Sequence, residues 1–62
     1  MYTYNPEMVT EIKQTCKTRE DIIATCRDDI GDVLHDVDSL GDMENIAYAI
    51  LSYIQAARET EE

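Results

Sequence analysis

Basic residues are scarce in this chain of 62 residues. Five lysines and arginines stand against 14 aspartates and glutamates, which gives a formal net charge of −9 at pH 7. A chain this acidic is repelled by nucleic acid and by anionic membranes. The composition therefore argues against direct binding to either and favours a basic protein partner or simple solubility.

Long apolar runs are also missing. The longest, Ile46 to Leu51, is far shorter than the roughly 20 residues that span a bilayer. The segment Met1 to Tyr4 has neither the basic nor the apolar region of a signal peptide, so we expect a cytoplasmic protein. At 44% hydrophobic residues the chain is nevertheless too apolar to be disordered, and we expect a single helical domain over 1–62.

The chain has only two cysteines, Cys16 and Cys26. On one continuous helix they would lie about 15 Å apart, and a turn near Thr18 would still leave about 10 Å between them. Both distances exceed the limit of about 7 Å between Cα atoms for a disulfide. We expect two free thiols that pack as small hydrophobes, and a domain with no covalent staple.

Catalytic and metal-binding patterns are lacking. The segment 36–42 resembles the start of an EF-hand calcium loop, but Leu40 and Ala47 occupy positions that need an oxygen ligand and a bidentate glutamate. Three potential metal ligands lie within one helical turn, which is weak support for a metal site among so many acids: Asp32, His35 and Asp36. The single histidine has no recognisable partner for nucleophilic catalysis. We expect no cofactor, no metal and no enzymatic activity.

The most regular feature present is an apolar stripe whose members alternate at intervals of three and four residues, the spacing of one helix face. Arg19 is its only polar member. The stripe comprises Val9, Ile12, Cys16, Arg19, Ile23, Cys26, Ile30, Val33, Val37 and Leu40. Asn5 and Pro6 suit a helix start, and no glycine or proline lies between Glu7 and Ile30. The pattern predicts one long helix over about 6–38.

A break in that helix is the alternative. Thr18 followed by Asp21 resembles a capping box, with aspartate in place of the usual glutamate or glutamine. A kink or a new helix start near 17–19 would convert the prediction into a three-helix bundle. The continuous phase of the stripe favours the single helix.

A second helix is predicted over about 43–58. Gly41 suits the left-handed end of the preceding helix, and Asp42 suits the N-cap of the next one. Residues 59–62 form an acidic tail and residues 1–5 an N-terminal arm. Within the arm, Tyr2 and Tyr4 alternate as in a strand over 2–4, which either pairs with a second copy or lies on the helices.

A helical hairpin with such unequal arms leaves half of its long helix uncovered, including Val9, Ile12 and Cys16. Burial of this half by a second chain predicts a homodimeric helical bundle. The residues of the expected seam are Val9, Ile12, Cys16, Ile23, Cys26, Ile30, Val33, Val37, Ile50 and Ile54.

Charge is distributed asymmetrically. No lysine or arginine lies between Arg27 and Arg58, whereas seven acids do. We define four of them as the acidic ridge: Asp28, Asp29, Asp32 and Asp36. Like charges at four-residue spacing destabilise a helix by a few tenths of a kcal/mol per pair. The ridge is therefore either a solvated face or a surface that binds a basic partner.

These features predict a non-enzymatic protein–protein interaction module, a small regulator or adaptor that binds its partner through the acidic ridge or through an apolar groove between helices. The alternative is a DNA mimic, since carboxylates one turn apart are about 6 Å from each other, near the spacing of phosphates. In length, acidity and lack of motifs the chain resembles the small acidic early and accessory proteins of temperate bacteriophages. That resemblance implies host proteins as partners and the host cytoplasm as location.

Overall fold

The computed structural model describes residues 3–60 and has three helices in this range: α1 (Pro6–Thr15), α2 (Arg19–His35) and α3 (Leu40–Glu59). No residue of 3–60 lies in a strand. The all-α class is confirmed. The prediction of one continuous helix over 6–38 is wrong, and the three-helix alternative is correct.

The break between α1 and α2 lies where the capping pattern placed it. Cys16 leaves the helix with an extended backbone (φ −108°, ψ 125°). Thr18 is the N-cap of α2, and its hydroxyl accepts a hydrogen bond of 3.1 Å from the Asp21 N–H. This bond satisfies a donor that would otherwise be unpaired in the first helical turn, so the chain can start a new helix without a glycine or proline.

The start of α1 follows the prediction. Asn5 is the N-cap, and its side-chain oxygen accepts hydrogen bonds from the N–H groups of Glu7 (2.9 Å) and Met8 (3.4 Å). Pro6 occupies the first helical position, where its missing N–H costs nothing.

The turn between α2 and α3 differs from the prediction. Helix α3 begins at Leu40, and its N-cap is Ser39, whose hydroxyl accepts from the Asp42 N–H at 3.1 Å. Gly41 lies in the first turn of α3 without a positive φ angle. The left-handed role assigned to Gly41 and the N-cap role assigned to Asp42 are therefore both wrong.

Helix α3 is the centre of the fold, because both other helices pack on it. Helix α2 is antiparallel to α3: Nε of Arg19, at the start of α2, donates to the carbonyl oxygens of Ala57 (2.9 Å) and Thr60 (3.0 Å) at the end of α3. These bonds tie the start of α2 to the end of α3.

Helix α1 runs in the same direction as α3. At its start, the Asn5 N–H donates to the Ser52 hydroxyl at 2.9 Å, and near its end the Lys13 ammonium lies 2.9 Å from a Glu59 carboxylate oxygen. Ser52 is fully buried and donates in turn to the Tyr48 carbonyl oxygen. The arrangement holds α1 against the C-terminal half of α3.

The main core forms where all three helices meet: Val9, Ile12, Cys16, Ile22, Tyr53 and Ala56, with Met8, Cys26 and Ala57 packed against it. The break at Cys16 allows α3 to pack on α1, so that Val9, Ile12 and Cys16 are only 5%, 7% and 4% exposed. These three residues need no second chain to cover them. The sequence predicts a dimer because a two-helix hairpin would leave these residues uncovered, and that reason does not apply to the three-helix fold.

The face of the α2–α3 hairpin opposite α1 has no cover within residues 3–60. Successive residues of a helix are rotated by 100° about its axis. The residues of α3 that pack on α1 therefore lie nearly opposite Met43, Ile50 and Ile54, which are 57%, 36% and 41% exposed.

The chain exposes 4661 Å² of surface, against about 4,100 Å² expected for a folded monomer of 7.1 kDa. No helix within residues 3–60 combines the length and the apolar character needed to cross a membrane.

Candidate protein-binding groove

A groove of about 480 Å³ runs between α2 and α3 on the uncovered face of the hairpin. Its apolar lining comes from Ile22, Ile23, Cys26, Tyr53, Ile54 and Ala57. Ile23 and Ile54, from opposite helices, are 59% and 41% exposed. Burial of such side chains is favourable, so this groove offers an apolar surface that a binding partner could bury.

Three arginines complete the lining: Arg19, Arg27 and Arg58. They are all the arginines that the chain has. We call this site the arginine-rimmed groove. Arg19 is engaged with the C-terminal end of α3, whereas Arg27 and Arg58 form no ion pair with any residue of 3–60. A chain with net charge −9 thus presents a locally positive, apolar groove.

The cysteine in this groove is not an activated nucleophile. Cys26 is half-buried, and burial raises the pKa of its thiol, with a further contribution from the charge of Asp29. A raised pKa keeps the thiol protonated at neutral pH, opposite to the shift of a reactive cysteine. Cys16 is buried with its sulfur 3.5 Å from the Thr25 hydroxyl. Both thiols are free.

The acidic ridge is exposed but is not one uniform surface. Asp28, Asp32 and Asp36 follow one another along α2, with Asp36 at its C-cap. Asp29 points instead towards α3, where it accepts a hydrogen bond of 3.0 Å from the Tyr53 hydroxyl. All four ridge residues are exposed, and Asp29 also joins α2 to α3.

A second, smaller groove of about 280 Å³ lies at the other end of the hairpin. Asp29, Asp36 and Asp42 line it above an apolar surface that includes Ile30, Val33, Val37, Ile46 and Ala49. We call it the distal groove. It brings two ridge residues together with Asp42, one of the seven acids between Arg27 and Arg58, while Asp28 and Asp32 lie outside it.

The residues of the expected dimer seam separate into two groups in the structure. Val9, Ile12, Cys16 and Ile30 are buried inside one chain, and Cys26 and Val37 are half-buried. The exposed members are Ile23, Val33, Ile50 and Ile54. This second group is the more exposed to contact with another molecule.

Within the N-terminal arm, the described residues Thr3 and Tyr4 lie in neither a helix nor a strand. Tyr4 is 41% exposed and lines a shallow depression together with Tyr48 of α3. Tyr2 lies outside the described residues. The Tyr4 side chain thus lies beside the helices, as one of the two interpretations of the arm expects.

The three potential metal ligands of α2 do not form a site. Among residues 3–60, no three side chains of the types histidine, cysteine, aspartate and glutamate are arranged to hold a metal ion. Asp36 lines the distal groove, and Asp32 and His35 do not.

Sequence reasoning does not single out Tyr53, Arg27 or Arg58 as parts of a site. A signal for the two arginines exists in the spacing: Ile23 precedes Arg27 by four residues on α2, and Ile54 precedes Arg58 by four residues on α3. Each pair shares one helix face. What the spacing alone does not reveal is that the two helices place these faces side by side.

Comparisons of the chain with models of protein families, with curated proteins and with solved structures found no match. The interpretation of the groove therefore depends on its own geometry and charge.

Proposed function

We propose that this chain is a non-enzymatic protein–protein interaction module, a small regulator or adaptor, that binds a segment of another protein in the arginine-rimmed groove. The observation that carries the proposal is the exposure of Ile23 and Ile54 on either side of this groove. An apolar groove between two helices is a recurrent site for a third helix from a partner. Of the two surfaces that the sequence suggested, the groove is better supported than the acidic ridge, because burial of apolar area drives association.

The proposal is tested by capture of partners from a bacterial lysate, the source suggested by the resemblance to bacteriophage proteins. Wild-type chain should retain a specific protein at high salt, since apolar contacts are not screened. The Ile54→Asp variant should lose that protein. Ile50→Asp is the matched control, because Ile50 is on the same helix, similarly exposed at 36%, and outside the groove lining. Equal capture by all three chains, each with unchanged circular dichroism, would contradict the proposal.

The alternative function is a DNA mimic that acts through the acidic ridge. Its support is the exposure of Asp28, Asp32 and Asp36 at one-turn intervals along α2. The two functions differ in their response to salt. Binding through carboxylates should weaken steeply as ionic strength rises, whereas binding through Ile23 and Ile54 should change little.

We also propose that the chain self-associates, through a surface other than the seam that the sequence suggests. Three large apolar side chains flank the turn between α2 and α3: Leu34 (56% exposed), Leu40 (70%) and Met43 (57%). We call these three residues the distal patch. The excess of exposed surface over that of a typical monomer supports a further interface. Sedimentation equilibrium at micromolar concentration should show a dimer that Met43→Glu dissociates and Ile54→Asp preserves. A monomer at every concentration would refute self-association.

A further inference from the structure

We propose that the occupant of the arginine-rimmed groove is an acidic amphipathic helix of a partner protein, with apolar side chains between Ile23 and Ile54 and carboxylates on Arg27 and Arg58. This inference rests on the proposed function and names its partner.

The charge of the groove is opposite to that of the rest of the chain. Three of the five basic residues line it, and Arg27 and Arg58 remain outside any ion pair with residues 3–60 although the chain holds 14 acids. The guanidinium groups of Arg27 and Arg58 are therefore available to form ion pairs with a partner. Charged groups arranged around an apolar centre select partners of complementary charge and suppress the others.

The positions of the arginines predict the pattern of the partner. Arg19 donates to the carbonyl oxygen of Ala57, so Ile23, one turn further along α2, lies level with the turn of α3 that contains Ile54. Because the two helices are antiparallel, Arg27 and Arg58 lie one turn away from this level in opposite directions. Two helical turns at 1.5 Å per residue put them about 12 Å apart along the groove.

A helix lying along the groove would therefore place an apolar residue at its centre and an acidic residue four positions before and four positions after it. Arginine suits this task, since its guanidinium remains charged and bonds carboxylates with two donors. The overall charge of −9 repels an acidic helix at long range. At physiological salt this repulsion is screened beyond about 8 Å, so the nearby arginines dominate once the helix is in contact.

A second copy of the chain fits this groove less well. If two copies met groove to groove about a two-fold axis, six arginines would be brought into one interface. Like charges placed opposite each other disfavour such a pairing. The acidic ridge of another copy also lacks the required pattern, because Asp32 occupies the central position between Asp28 and Asp36.

The test uses a synthetic alanine-rich peptide of about 18 residues, long enough to be helical in water, with a central leucine and glutamates four positions to each side. Fluorescence anisotropy should detect its binding to the wild-type chain. The same peptide with glutamines in place of the two glutamates should bind about three- to tenfold more weakly, the loss expected for two partly desolvated ion pairs.

Variants of the chain locate the contact. Arg27→Gln with Arg58→Gln should weaken binding of the glutamate peptide about three- to tenfold and leave the glutamine peptide unaffected. Lys17→Gln, which removes one positive charge outside the groove and keeps the ion pair between Lys13 and Glu59, should have less effect than Arg27→Gln alone. Ile54→Asp should abolish binding of both peptides. Arg19 is left intact because it also holds the end of α3.

Each other outcome overturns the inference in a recognisable way. If the two peptides bind equally well, or neither binds, the partner is not an acidic helix, and the lysate capture decides the proposed function separately. If Ile54→Asp dissociates the wild-type dimer, and dimerisation competes with binding of the peptide, the occupant is a second copy. If the lysine control weakens binding as much as the arginine variants do, the attraction is nonspecific.

Discussion

The phenol of Tyr53 on α3 donates a hydrogen bond of 3.0 Å to a carboxylate oxygen of Asp29 on α2. This bond joins the two long helices beside the arginine-rimmed groove. Tyr53 is almost fully buried and lines that groove, while Asp29 lines the distal groove. The pair therefore joins the two helices of the hairpin between its two grooves.

The first prediction concerns the ionisation of Tyr53. Burial and the hydrogen bond to Asp29 raise the pKa of its phenol from 10 to about 12. The raised pKa means that the folded state holds the proton more tightly than the unfolded state. The associated stability is fully present below about pH 10 and is lost as the pH rises through 12. Absorbance of tyrosinate during alkaline titration should show one late-titrating tyrosine, which disappears in Tyr53→Phe and persists in Tyr48→Phe.

The second prediction concerns the buried hydroxyl of Ser52. It accepts from the Asn5 N–H and donates to the Tyr48 carbonyl oxygen, and its residue is fully buried. Ser52→Ala should lower the free energy of unfolding by about 1–2 kcal/mol, since it leaves the Asn5 N–H without its partner. Urea unfolding measures the loss. Thr10→Ala, which removes an exposed hydroxyl bonded to the Pro6 carbonyl oxygen, should cost less. Equal costs would show that the Ser52 bond contributes little.

Much of the helical framework can be predicted from local chemistry. Asn5 and Pro6 start α1 as their residue types suggest, and the N-cap bond between Thr18 and Asp21 forms. Caps of this kind depend on atoms only a few residues apart, so the sequence alone is informative about them. Two features of the sequence disagreed about this region. The continuous phase of the stripe predicted one helix, whereas the cap predicted a break, and the break is what the structure has.

The core of α2 and the groove could not be predicted in the same way. The stripe includes Ile23, which is 59% exposed, and passes over Ile22, which is 1% exposed. A helix restarted at Arg19 takes its own rotation, which depends on how it packs against α3 rather than on the phase of α1. The buried face of α2 is therefore shifted by one residue from the predicted stripe: Ile22 lies in the core, and Ile23 lines the groove. The packing of α2 against α3 sets this rotation, and no pattern of neighbouring residues in the sequence predicts that packing.

The third prediction concerns Gly31 in α2. A Cβ atom placed there would meet nothing within 4 Å, and its φ angle is not positive. Gly31→Ala should therefore raise the free energy of unfolding by about 0.5–1 kcal/mol, because alanine loses less backbone entropy in a helix. The melting temperature should rise by a few degrees in a domain of this size. Gly41→Ala, in the first turn of α3, should give a smaller gain. A loss of stability at Gly31 would mean that this face of α2 is covered in solution.

The last prediction separates the acidic ridge from the groove. Replacement of Asp28, Asp32 and Asp36 by asparagine removes like charges at four-residue spacing, and should leave the fold unchanged or more stable by a few tenths of a kcal/mol. Asp29 is kept because it bonds to Tyr53. If the partner binds in the arginine-rimmed groove, the triple variant should capture it as well as wild type does, and slightly better if the bound segment is acidic, since long-range repulsion falls. If the partner is a basic protein that the ridge recognises, capture should disappear in the triple variant and persist in Ile54→Asp. Thermal unfolding and lysate capture should be measured on four chains: the wild type, the triple variant, Ile54→Asp and the control Ile50→Asp. The pattern of capture decides between the two surfaces.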